Sequence, residues 1–249
     1  MNGHPLLSVD HLIVSYGDAR AVFDVTLEVP EGGAVAVLGP NGAGKSSLAG
    51  AIAGVVRPAG GRITFNGRDI TGWPAHRVSR MGVAYVPEER GIFPHLSVID
   101  NLRAQVRRAV PRPERGTAIE RALELFPVLA ERRRQAAGTL SGGEQQMLGL
   151  ARVLAAPPRL LIADEMSLGL APKLVDLVFE SLARAHAEGV ATLLIEQYVE
   201  RALGFVDDAV ILRRGEVVWR GPAASAGAEM LAGYLGDPGV GAARETPAS

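Results

Sequence analysis

The chain has 249 residues, 47% of them hydrophobic and 21% charged, with a formal net charge of −1 and no cysteine. That is enough chain to bury a sizeable core of ordinary globular composition. The composition excludes a disulfide framework, a cysteine-ligated zinc site and a thiol nucleophile, and it offers no general attraction to nucleic acid or anionic lipid.

Strand-like runs lie near 7–15, 22–29 and 33–38, and the Gly and turn residues between the first of them suggest an antiparallel portion. A helical signal follows at 44–53, then strand-like runs near 62–66 and 82–86. Residues 87–138 differ: they carry helical patterns near 97–109 and 117–126, the linker VPRPERG and the charged run ERRRQ, and they read as a helical insertion. Beyond it, helical signals near 141–155, 172–188 and 198–204 alternate with strand-like runs near 159–163, 190–195, 208–212 and 216–219. In 172–188, Leu174, Val178, Leu182 and Ala185 recur at helical spacing, between a Pro172 suited to the first turn and a Gly189 at the stop. Strands alternating with helices predict an α/β fold with a mainly parallel sheet. The Gly/Ala/Pro-rich end, GDPGVGAARETPAS, is expected to be disordered over 238–249. No apolar run approaches the ~18 residues that span a bilayer. The opening MNGHPLLSVD lacks the basic and long apolar regions of a secretory signal, and the lack of cysteine fits a reducing cytosol.

GPNGAGKSS, residues 39–47, follows the apolar run Val35–Leu38 and opens a helix. It is G-x-x-x-x-G-K-S, the phosphate-binding P-loop, in its strand–loop–helix context. Gly39, Gly42 and Gly44 permit the tight turns that point successive amides at phosphate oxygens, and the helix amino end adds its dipole. Lys45 reaches the β- and γ-phosphates, and the Ser46 hydroxyl can ligate Mg²⁺. Pro40, Asn41, Ala43 and Ser47 complete the nucleotide-binding stretch.

LLIADEM, residues 160–166, runs four apolar residues straight into two carboxylates. Alone, the acids could be a solvated strand end, or ligands at the carboxyl end of a parallel strand. With a P-loop in the same chain, Asp164 is expected as the second Mg²⁺ anchor, directly or through water. Glu165 is expected to orient the water attacking the γ-phosphate and to accept its proton. TLSGGEQQMLGLARVL, residues 139–154, opens a helix with Ser-Gly-Gly. That start offers amides and a hydroxyl to another phosphate, or serves structure alone.

LSGGEQQ resembles the signature of ATP-binding cassette (ABC) ATPases, and its spacing from the P-loop and LLIADE fits that family over nearly all of residues 6–237. The resemblance implies the ABC ATPase fold: one domain over 6–237, in which residues 87–138 form a helical subdomain that receives coupling helices of a membrane permease. It also implies an ATP-bound head-to-tail dimer. In it Ser141, Gly142 and Gly143, with Gln145 beside them, contact the nucleotide held by the other subunit. Tyr16, in VSYGDARAV, matches the aromatic that stacks on adenine. Glu88, in YVPEER, stands where most members have the Gln that contacts Mg²⁺ and the attacking water. Gln197, in LLIEQYV, stands where most have a His touching the γ-phosphate. Ala171 replaces a usual Asp, and Met166 a usual Pro.

Taken together, VPE, LSGGEQQML, SLGLAP and EQ resemble the ATPases of branched-chain amino-acid uptake systems, although Met166 departs from that pattern too. The expectation is an ATP-hydrolysing importer subunit for branched-chain amino acids or related small amides or urea, using ATP and Mg²⁺. It would sit peripherally on the cytoplasmic side of the membrane. Its partners would be permease subunits, a related but different second ATPase and, indirectly, an external solute-binding protein. Nucleic acid is not an expected partner, because the basic runs RRAVPRPER and ERRR sit amid Pro and Glu. The alternatives are a soluble non-transport ABC ATPase of DNA repair or translation, and a regulatory nucleotide-binding module without turnover. A GTPase is disfavoured by the absence of N-K-x-D.

Overall fold

A computed structural model describes residues 4–88 and 91–227. Two sheets carry the fold. Strands β1 (Leu7–Tyr16), β2 (Ala19–Val29), β4 (Gly60–Phe65) and β5 (Arg68–Asp69) form an antiparallel sheet in the order β2-β1-β4-β5. A second sheet runs β10-β9-β3-β8-β7-β6, with β3 (Ala34–Leu38), β6 (Val83–Val86), β7 (Leu160–Asp164), β8 (Ala191–Glu196), β9 (Asp208–Arg213) and β10 (Glu216–Pro222). Its pairings are parallel except for the β9–β10 hairpin.

The apolar runs of β3, β7 and β8 are buried throughout, as parallel strands covered on both faces must be. Their alternate side chains feed two separate cores. Val35, Val37, Ile162, Leu193 and Ile195 face one side, where helix α1 (Lys45–Ile52) and the antiparallel sheet cover them. Ala36, Leu38, Leu161, Ala163 and Leu194 face the other, under α6 (Gly142–Leu154) and α7 (Pro172–Ala187). The second core continues into α3 (Val98–Ala109), α4 (Arg115–Leu125) and α5 (Pro127–Glu131) through Leu102, Val106, Phe126 and Leu129. These three helices come between β6 and α6, where helices without strands were expected.

Two short helices, α2 (Ala75–Arg80) and α5, carry no periodic signal, because five or six residues are too few to show a 3.6-residue repeat. A final short helix, α8 (Val199–Leu203), follows β8. β2 starts earlier than its apolar run, because Ala19 and Arg20 already pair with Tyr16 and Ser15 across the hairpin. The tail expected at 238–249 lies outside the described residues. Among the described residues, no helix is long and apolar enough to cross a membrane.

Candidate active site

The carboxyl ends of β3, β6, β7 and β8 lie side by side, and the loops leaving them form one polar cleft. The P-loop leaves β3 in a path that only glycine allows at two points. A Cβ on Gly39 would stand 2.3 Å from the Leu212 carbonyl oxygen of β9, and one on Gly44 would stand 2.3 Å from that of Ala21. Gly44 has φ +98° and caps α1 without any side-chain bond, so the first amides of the helix have no internal partner. Those donors are where an anion binds best.

Lys45 is 3% exposed, and its ammonium group donates to Gly39 O at 3.0 Å and Pro40 O at 3.2 Å. It also pairs with Glu165 Oε1 at 3.0 Å, and that carboxylate is only 8% exposed. Three partners use all three of the ammonium's donors, so a phosphate entering the loop must take one of them over. The Glu165 backbone is left-handed at φ 47°, an uncommon state for a residue with a side chain. Its amide donates to Ile195 O of β8 at 2.8 Å.

Asp164, the last residue of β7, is buried and accepts from Ser46 Oγ at 3.1 Å and from Tyr85 OH at 2.8 Å. Burial pushes its carboxyl above the usual range, the two hydroxyl donors oppose that, and the charges of Glu165 and Glu88 add to it. The same burial, with Asp164 alongside, pushes the Tyr85 phenol upward. The phenol is therefore a fixed donor rather than a proton source. Gln197 follows β8, and its amide Nε2 donates to Glu165 Oε2 at 3.1 Å and to Asn41 Oδ1. Glu196, just before it, is 2% exposed and accepts from Ser167.

The cleft is lined by Asn41, Gly42, Gly44, Lys45, Ser46, Ser47, Glu88 and Glu165, with Ala21 and Leu168 as apolar walls. Tyr16 is 53% exposed, and its hydroxyl donates to Ser47 Oγ at 3.3 Å, which sets an open ring beside the P-loop. Ala43 is buried beneath the loop. Ser141, Gly142, Gly143 and Gln145 are not among the lining residues; they form the start of α6. There Ser141 Oγ accepts from Glu144 N at 3.3 Å while Glu144 Oε2 accepts from Ser141 N at 2.7 Å, a reciprocal cap. The hydroxyl can still donate one bond outward. Gln145 Nε2 donates to Leu140 O at 3.0 Å.

Tyr85, Ser167 and Glu196 escape the sequence reading. A phenol and a carboxylate set in otherwise apolar strands were the available signal, but their partners stand 79 and 29 residues away in the chain.

A P-loop joined to a parallel sheet, with an acid pair at the end of β7, one strand beyond β3's neighbour β8, defines the class of P-loop nucleotide-binding proteins. A family model described as "ABC transporter" matches residues 22–167. The high-affinity branched-chain amino acid transport ATP-binding protein BraG of Pseudomonas aeruginosa is 41% identical over 213 residues, which cover 86% of this chain and 91% of BraG. The lipopolysaccharide export system ATP-binding protein LptB of Acidithiobacillus ferridurans is 35% identical over 220 residues, 87% of this chain and 90% of its own. A solved structure of an ATP-binding subunit of an ABC transporter superposes with a TM-score of 0.79 at 29% identity, covering 87% of this chain and 90% of that one. The chain belongs to the ABC transporter ATPase family.

Two substitutions test the cleft. Lys45→Ala should weaken nucleotide binding roughly 10- to 150-fold, as expected for loss of a charge-assisted bond. Calorimetry on variant and parent, with a thermal melt to confirm folding, reads this directly; equal affinities would remove the P-loop lysine from binding. Tyr85→Phe leaves one buried oxygen of Asp164 without its donor, so urea unfolding should show a loss of about 1–3 kcal/mol.

Proposed function

We propose that the chain is the ATP-hydrolysing subunit of an importer for branched-chain amino acids or related small amides or urea. The observation that carries the hydrolytic part is Glu165, held at the strand end between the Lys45 ammonium and the Gln197 amide. A carboxylate so placed beside a phosphate-binding loop can orient a water on the γ-phosphate and accept its proton. The P-loop amides and Lys45 grip the phosphates, and Gln197 donates to the γ-phosphate without changing charge near neutrality, unlike a His. Tyr16 stacks on the adenine.

Ser46 Oγ and Asp164 Oδ1, 3.1 Å apart, are hard oxygen donors of the kind Mg²⁺ takes. Among the described residues no group of three or more His, Cys, Asp or Glu could hold a metal alone. Mg²⁺ in nucleotide sites is held by one or two protein oxygens together with substrate phosphates. Ser46 and Asp164, with Glu88 at the cleft edge, would hold Mg²⁺, whose chemistry there is to neutralise phosphate charge.

The Ser141–Gly143 start of α6 lies outside the cleft of its own chain, which supports a head-to-tail pair in which each cleft is completed by the other subunit's α6. The second ATPase is a related but different chain. Both dock on permease subunits at the cytoplasmic face of the membrane, and an external solute-binding protein delivers the solute. BraG's name carries the amino-acid assignment. The similarity to LptB supports service to a lipopolysaccharide exporter, and its lower identity makes that the second reading.

Glu165→Gln should keep nucleotide affinity but hydrolyse ~10²–10⁴-fold more slowly, since an amide cannot take the proton. Phosphate release at saturating MgATP is the assay, and near-parental turnover would move the base elsewhere. For the solute, the ATPase reconstituted with its permease partners in vesicles should be stimulated by leucine-loaded binding protein. Stimulation by lipopolysaccharide instead would establish the second reading.

A further inference from the structure

Glu196 ends β8, is 2% exposed, and has no part in the hydrolytic scheme above. Three donors converge on its carboxylate. Oε2 accepts from Ser167 Oγ at 2.6 Å and from Gln197 N at 3.2 Å, and Oε1 accepts from Ser167 N at 3.2 Å. A buried carboxylate is costly to keep, and one that gathers three donors is a built feature rather than filler.

The donors come from two different loops. Ser167 stands two residues after Glu165 on the turn leaving β7, and Gln197 begins the turn leaving β8. Glu165 holds a left-handed backbone that its surroundings must maintain. Its amide is tied to Ile195 O of β8 at 2.8 Å, and Ser167 is tied to Glu196 of the same strand. The turn is thus fastened to β8 on both sides of Glu165. The Gln197 side chain meets Glu165 Oε2, at 3.1 Å, beside these two ties.

We propose that Glu196 is a positioning residue for ATP hydrolysis: its carboxylate clamps the Ser167 turn to the start of the Gln197 turn and thereby sets the Gln197 amide against Glu165. The proposal rests on the hydrolytic reading of Glu165 and Gln197. A carboxylate is required because all three incoming groups are donors. A carboxamide offers a single oxygen, and its NH₂ would face a backbone N–H, donor against donor. The two turns would then lose their common anchor while the P-loop, which grips the phosphates from the β3 side, keeps its own bonds. The effect falls on turnover and not on binding.

The test uses the full chain with MgATP and compares E196Q, S167A, Q197A, E165Q and the double variant E196Q/Q197A. E196Q should lower kcat roughly 10- to 100-fold, the range a displacement of about 1 Å can produce. Its nucleotide Kd by calorimetry should stay within about twofold of the parent. S167A, which removes a single hydroxyl and keeps the fold, should lower kcat in the same direction by less. Because Glu196 acts through Gln197, E196Q should add little to Q197A in the double variant, well short of the product of the single effects. A parental kcat in both E196Q and S167A, an equal loss of affinity and rate, or multiplicative effects in the double variant would overturn the proposal. Parental kcat in Q197A and in E165Q would bring down the hydrolytic reading and this proposal with it. Slow Q197A and E165Q beside a fast E196Q would bring down the clamp alone.

Discussion

The cleft is organised around one buried ion pair. Lys45 opens α1 and Glu165 follows β7, and their charged atoms meet at 3.0 Å with almost no exposure to solvent. Taking two charges out of water costs several kcal/mol each, so such a pair survives only with good geometry and further hydrogen bonds. Here the P-loop carbonyls of Gly39 and Pro40 and the Gln197 amide supply those bonds. Nucleotide phosphates would compete for the same ammonium group. Any such competition falls on one of the three bonds that the ammonium makes, to Gly39 O, Pro40 O or Glu165 Oε1.

That pair can form only because the sheet brings β3, β8 and β7 into consecutive parallel register. Val37 lies beside Ile195, and Ile195 beside Asp164, so the three chain segments end at one level. Parallel strands with crossover helices on both faces bury every residue of these runs, and the polar residues collect where the strands stop. The two cores have different duties. One presses α1 and its P-loop onto the sheet, and the other seats α6 and α7 and extends into α3–α5. The start of α6 is fixed by its reciprocal cap, reinforced by Arg132 against Glu144 at 2.9 Å.

The hydroxyl and carboxylate groups around Asp164 form a layer beneath this machinery. Ser46 and Tyr85 each hold one of its two oxygens, the first from α1 and the second from the edge strand β6. Burial pushes this carboxyl up and the two donors that fix it oppose that shift. Glu196 repeats the arrangement one strand over, with burial pushing its carboxyl up and the Ser167 and Gln197 donors opposing.

The amino-acid sequence by itself determined the features whose physics is local. The P-loop is nine consecutive residues whose torsions need glycine at set places, so its turn and the helix after it were legible. So were the buried strand runs, the Ser-Gly-Gly helix start and the long helix between Pro172 and Gly189. The short helices α2 and α5 were not, because they are stabilised by packing rather than by their own periodicity. Tertiary structure alone decided which side chains meet. Ser46 reaches Asp164 across 118 residues and Tyr85 reaches it across 79, while Lys45 finds Glu165 from another strand end. The role of Glu196 was hidden for the same reason, since a Glu at a strand end reads as solvated until its neighbour Ser167 is seen. Such pairings depend on the register of parallel strands joined through long crossovers, and no local pattern of residues encodes that register.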